Sequence, residues 1–152
     1  MERILLDRLK FLQERQSGVD LDVGEALLDL EGFYGGTGRD QQSEQMAKRA
    51  IEFYSACKGT STLHNTCDRF LADAQGMLGA MFFNRKLYDR ADPWLRKVVD
   101  RPDYGARPEL LFSCLVEYAT ILRSRGASEA ASAALARAER VAKSYPGTNN
   151  PR

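Results

Sequence analysis

Histidine is nearly missing from this sequence, with His64 the single one, and tryptophan is represented only by Trp94. A single histidine makes the search for a metal or catalytic site a short one. Cysteine is scarce as well: Cys57, Cys67 and Cys114 are odd in number and irregularly spaced, which suits a reducing compartment better than a disulfide framework. No apolar run approaches the roughly 18 residues that a membrane span requires, and the start, MERILLDRLKFLQERQ, mixes acids with its bases, unlike a signal peptide. Excess charge of either sign is lacking too. With a formal net charge of +1, the chain has no global electrostatic pull toward nucleic acid. These absences point to a cytoplasmic, intracellular protein without a membrane segment.

What is present is helical periodicity. Apolar residues recur at 3.6-residue spacing almost throughout, and strand signals are few, so the chain reads as all-α. Seven helices are predicted, over 2–16, 21–36, 40–56, 66–84, 89–101, 108–124 and 128–144. Short turns such as GTGRD, RPDYGARP and RSRGAS force neighbouring helices into antiparallel hairpins. The first helix carries an apolar stripe, Ile4, Leu5, Leu9 and Leu12, suited to capping the hairpin behind it.

The glycine-rich stretch LEGFYGGTGRD invites comparison with a phosphate-binding loop, which would make the protein a nucleotide-using enzyme. A preceding strand, a lysine and a hydroxyl for the metal are all required there, and none is present. The glycines have another use. Offsets of 48 and then 40 residues bring three segments into register without internal gaps. Leu30, Leu78 and Tyr118 share a column, as do Tyr34, Phe82 and Leu122, then Gly38, Lys86 and Gly126. Ser43, Ala91 and Ala131 follow, then Ala47, Leu95 and Leu135, then Ala50, Val98 and Ala138. Gly38 thus sits at a turn between two helices, and small residues in the other columns let the helices approach closely.

This pattern resembles the tetratricopeptide repeat. Gly79, Phe82, Ala91 and Leu95 match it in the middle unit, and Ala119, Leu122, Gly126, Ala131, Leu135 and Ala138 match it in the last. RADPWLRKVV is similar to the second helix of the longer, kinesin-light-chain type, with Pro93 expected in that helix's first turn. Glu31, Gln75 and Lys86 depart from the pattern, and SACKGTSTLHNT carries eight extra residues. The resemblance implies an all-α, right-handed α-solenoid of antiparallel hairpins: about three repeats over 18–145, a capping helix over 1–17 and a flexible tail over 146–152.

A solenoid of this kind implies a concave groove for an extended peptide or a partner helix, no catalytic centre and no cofactor. Its lining is expected to include Glu25, Leu28, Gly32, Gly36, Asp73, Gly76, Ala80, Phe83, Asn84, Val116, Thr120 and Arg123. The Lys, Asn and Arg clamp with which the family holds acidic chaperone tails is absent, because Leu28, Gly32, Met77, Ser113 and Glu117 stand at its positions. The alanine-rich last helix offers a second face, through Ala130, Ala134 and Val141, for a partner or a second copy, since Ile121, Leu122, Leu135 and Val141 have no following helix to cover them.

Three weaker readings complete the survey. Cys57, His64, Cys67 and Asp68 could ligate a metal or pair a nucleophile with a base, but only His64 and Cys67 have suitable spacing, so no metal is expected. Seven Lys or Arg against four Asp over 85–107 could serve RNA, yet they read better as an outer face whose Asp89, Asp92 and Asp100 form local ion pairs. Asp20, Asp22, Glu25, Asp29 and Glu31 read as a solvated acidic face, and Trp94 as core.

Overall fold

The computed structural model describes residues 1–15, 20–57 and 63–145. Seven helices account for them: α1 (Glu2–Glu14), α2 (Leu21–Gly36), α3 (Asp40–Cys57), α4 (His64–Asn84), α5 (Tyr88–Val99), α6 (Pro108–Ser124) and α7 (Ser128–Ser144). No strand occurs among the described residues. The predicted tail over 146–152 lies outside them. Two compact units divide the chain, Met1–Ala74 and Gln75–Arg152, with the division inside α4.

Local chemistry sets the helix ends. Asp20 caps α2 by accepting from the backbone N–H of Asp22 at 3.0 Å, a contact worth about 1 kcal/mol. Pro108 opens α6, where its missing N–H would have had no intrahelical partner. The three hairpin turns are closed identically. The N–H groups of Arg39, Leu87 and Ala127 donate back to the carbonyls of Tyr34, Phe82 and Leu122 at 2.9, 3.0 and 2.9 Å. The residue before each donor, Gly38, Lys86 or Gly126, has φ of 72°, 59° or 77°. Such a left-handed residue ends a helix and reverses the chain, and the column drawn from sequence marks all three places. Pro93 lies in the second turn of α5 and not in its first, where it withholds one intrahelical donor while the helix continues.

In the first unit α1 packs on α2 and α2 on α3. Leu9 and Leu12 of α1 are buried and Leu5 half-buried, but Ile4 is 67% exposed, so the covering stripe is narrower than expected. Polar contacts fix the remainder of α1. Arg39 donates to both carboxylate oxygens of Glu2 at 2.8 Å, and the Tyr34 hydroxyl donates to the same group at 3.1 Å. Arg39 holds the Glu2 carboxyl below its usual range, and its guanidinium lies over the rings of Phe33 and Tyr34. Leu27, Leu30, Ala47, Ala50 and Tyr54 form the buried seam of the α2/α3 hairpin.

In the second unit α5 packs on α6 and α6 on α7. Leu95 comes so close to Gly79 that a Cβ there would lie 2.8 Å from it. Leu78, Phe82, Leu95, Val98, Leu111 and Ile121 are fully buried. Arg137 of α7 ties down the end of α5, donating to the carbonyls of Val99 and of Arg101 (2.6 Å) and to the Asp103 carboxylate (2.9 Å). The Val99 carbonyl is one of the orphan acceptors that every helix end leaves.

Candidate interaction surfaces

The face of α2 predicted to line a groove is open within the first unit. Glu25, Leu28, Gly32 and Gly36 recur at helical spacing. Leu28 is half-buried and the others are exposed. A Cβ placed on Gly32 or Gly36 meets nothing within 4 Å, whereas on Gly24, around the same helix, it would strike the ring of Tyr54. The glycines of α2 therefore divide by function. Gly24 permits close packing, and Gly32 and Gly36 leave a strip of bare backbone.

In the second unit Ala80, Phe83 and Val116 are half-buried, and Asn84, Thr120 and Arg123 are exposed. The Thr120 hydroxyl is committed to the Val116 carbonyl at 3.0 Å, so this residue presents chiefly its methyl group. Gly76 does not line this surface. It is buried, and a Cβ there would lie 2.5 Å from Leu110 and 3.2 Å from the Cys114 sulfur. The small residue permits helix packing at that point and opens nothing.

The C-terminal face also contracts. Ala130 is exposed and Ala134 half-buried, but Val141 is buried, as is Ile121. Both are covered without any helix following α7. Only Leu122 and Leu135 of the predicted exposed set stay half-buried.

Two of the three cysteines are paired after all. Cys57, at the end of α3, and Cys67, in the first turn of α4, form a disulfide with their Cα atoms 5.9 Å apart. They are ten positions apart in sequence, yet one ends α3 and the other lies in the first turn of α4, within bonding reach. An odd number of cysteines therefore did not preclude one pair. With both sulfurs in that bond, and Cys114 buried, the Cys57, His64, Cys67 and Asp68 set is no ligand group. Among the described residues no cluster of His, Cys, Asp or Glu is arranged to hold a metal ion. Residues 58–62 of this insertion lie outside the described residues.

The basic stretch is bound into its own unit. The guanidinium of Arg90 lies 4.1 Å from the Phe82 ring centre, and the Lys97 ammonium 4.2 Å from that of Trp94, which is half-buried and not core. Arg101 donates to the carbonyls of Lys97 and Gly105, both at 3.3 Å. Asp89 and Asp92 pair with Arg125 from the α6/α7 turn and not within the stretch, the Asp89 contact being 2.8 Å.

Glu31 escapes the solvated-face reading, and Glu117, which lay outside it, is no ordinary surface acid either. Glu31, 7% exposed, accepts from the Ser43 hydroxyl at 3.2 Å, and burial raises its carboxyl above the usual range. Glu117 of α6 has a buried oxygen with no hydrogen-bond partner, and burial pushes its carboxyl up to about 7. Its place between the apolar residues of LVEYAT was the sole sequence sign of this. Tyr54, buried with an unpartnered hydroxyl, gave no sign at all, because its spacing is that of an ordinary core aromatic.

No protein-family model matches the chain, and neither does any curated protein. Among solved structures it is similar to BtubC (BKLC) from P. vanneervenii, with a TM-score of 0.76 and 17% sequence identity over 99% of this chain. The chain spans 59% of the length of that protein. The fold is thus an all-α helical repeat of the solenoid class, like that of a kinesin-light-chain-like protein. No helix among the described residues is long and apolar enough to cross a membrane.

Proposed function

We propose that this chain is a non-catalytic protein-interaction module, a scaffold or adaptor subunit, built from repeats of the tetratricopeptide type in their longer, kinesin-light-chain-like form. It binds a peptide or a partner helix, for which the first unit offers the bare strip of α2 and the second, by itself, the Ala80, Phe83 and Val116 surface. The observation that carries this reading is the openness of Gly32 and Gly36. Gly32, inside α2 on its open face, costs about 1 kcal/mol relative to alanine, and no neighbour within 4 Å of a Cβ there accounts for it. A ligand backbone approaching closely would account for it. The basic stretch, engaged with its own rings and carbonyls, lends no support to RNA binding.

The test is capture of partners by the purified protein, read by mass spectrometry, for the wild type and for Gly32→Arg and Ala80→Arg. Gly32→Arg adds a side chain to open space, so the helical circular dichroism is expected to persist while partner recovery falls at least tenfold. Undiminished recovery by both variants would remove the reading. Sedimentation equilibrium with Ala134→Glu tests the lesser alternative, association through α7, and an unchanged monomer in both proteins would exclude it.

A further inference from the structure

The first helix is apolar on two sides. Leu9 and Leu12 are buried where α1 packs on α2, yet Ile4 is 67% and Phe11 60% exposed. Those two stand seven positions apart, so they lie in line along another side of the helix. The Arg15 guanidinium, 5.7 Å from the Phe11 ring centre, leaves most of that ring open. Charge follows the same spacing. Arg3, Asp7, Lys10 and Glu14 run along one border of the strip as basic, acidic, basic, acidic. Within the helix Arg3 meets Asp7, and Lys10 meets Glu14, only at 3.9 Å, and these side chains are exposed. On the other border the chain uses its charge, since Arg8 engages Asp29 at 2.6 Å.

A helix with apolar side chains on two sides is suited to lie between two neighbours, and the border charges select the second neighbour. An alternating row laid beside its own reverse puts each cation against an acid. Laid beside itself in the same direction, it puts like against like. We propose that the Ile4 and Phe11 strip pairs with the same strip of a second copy of this chain, the two α1 helices running antiparallel. Ile4 of each copy then faces Phe11 of the other, Arg3 faces Glu14, and Asp7 faces Lys10. Every contact occurs twice, as two-fold symmetry requires. A parallel pair would set Arg3 against Arg3 and Asp7 against Asp7. Two apolar side chains from each copy bury less than a permanent interface does, so the pairing is weak and reversible, with a dissociation constant of about 100 micromolar. It is independent of any peptide bound on α2.

The experiment is sedimentation equilibrium of the full chain from micromolar to millimolar concentration, with circular dichroism to check that each variant keeps its helices. The wild type is expected to show a reversible equilibrium of monomer and dimer. Phe11→Ala, at an exposed position, is expected to weaken it about tenfold. Arg3→Glu sets an acid against Glu14 of the other copy, twice in each dimer, and is expected to weaken it about fivefold. Adding Glu14→Arg reverses both ends of the row and restores each antiparallel pair. The double variant is therefore expected to return to within about twofold of the wild type, which a parallel pair could not do. Ala134→Glu, on α7, is expected to leave the equilibrium unchanged. A strict monomer throughout would overturn the proposal and leave the strip to a different protein. Association undiminished in Phe11→Ala, no recovery in the double variant, or loss of association in Ala134→Glu would overturn it as well.

Discussion

The α2/α3 hairpin of the first unit and the α4/α5 hairpin of the second reach the same backbone by opposite side-chain choices. Where the second has Gly79 beneath Leu95, the first has Glu31 and, in the Leu95 column, Ala47. One hairpin puts its volume on the second helix and a bare Cα on the first. The other puts a long side chain on the first helix and reaches across to Ser43. Close packing fixes the total volume between two helices far more tightly than it fixes which helix supplies it. At the turns the reverse holds. Gly38 and Lys86 differ completely as side chains, yet both take a left-handed φ, because the backbone must reverse there whatever residue is present.

The largest effect comes from forcing one hairpin's choice on the other. Gly79→Glu in the second unit drives a side chain into Leu95 and leaves a carboxylate without a prepared donor, at an expected cost of about 3 kcal/mol or more in urea unfolding. Leu95→Ala alone is expected to cost about 2 to 5 kcal/mol through the cavity it leaves. Together they restore the volume distribution of the first unit, though not its Ser43 donor, whose column holds Ala91, so the double variant should be more stable than the two losses predict, by about 1 kcal/mol. Strict additivity in that cycle would show that volume is not being traded between these positions.

The helices and the register of the repeat were legible in the sequence because both depend on local properties: apolar spacing, small residues at fixed offsets, and turn residues. Even Lys86, off-pattern by identity, was placed in its column by counting. The surfaces were less legible, since small residues carry two opposite meanings. Gly76 and Gly32 look alike in sequence, but the first lies under Leu110 and the second under nothing. Which applies depends on where a neighbouring helix passes. For the same reason Val141 read as exposed and is covered, and Ile4 read as covering and is exposed. The disulfide was hidden because pairing needs the path of the chain between α3 and α4, not the count of cysteines. Tyr54 was hidden because burial of a hydroxyl without a partner leaves no mark on periodicity.

Glu31 of the first unit and Glu117 of the second extend the comparison at smaller scale. Glu31 has the Ser43 hydroxyl, whereas one oxygen of Glu117 has no partner. The Glu117 carboxyl titrates near 7 in the folded chain and near 4.5 when unfolded, so between those values the folded state holds a proton that the unfolded state releases. Its contribution to stability is therefore present below about pH 4.5 and is lost as pH rises through 7. Glu117→Gln cannot ionise. It is expected to stabilise the protein by about 1 to 2 kcal/mol at pH 8, allowing for partial solvent screening, and to change little at pH 4.5. Urea midpoints at the two pH values decide this, and a gain independent of pH would point to packing instead of charge.

The smallest effect lies at the turns. Lys86 with φ of 59° bears a steric penalty of about 1 kcal/mol that Gly38 and Gly126 avoid. Lys86→Gly removes that penalty but gives the unfolded chain more freedom, which returns about half of it. The expected net gain is about 0.5 kcal/mol. Gly126→Ala should lose about 1 kcal/mol, because alanine adds the steric cost and reduces only a little of the unfolded freedom. A Cβ at Gly126 meets nothing within 4 Å, so no clash contributes and the difference is a property of the backbone alone. Thermal melts of both variants against the wild type measure it. If Lys86→Gly were destabilising, the lysine side chain would be making a contact worth more than the strain, and the likeness of the three turns would stop at their hydrogen bonds.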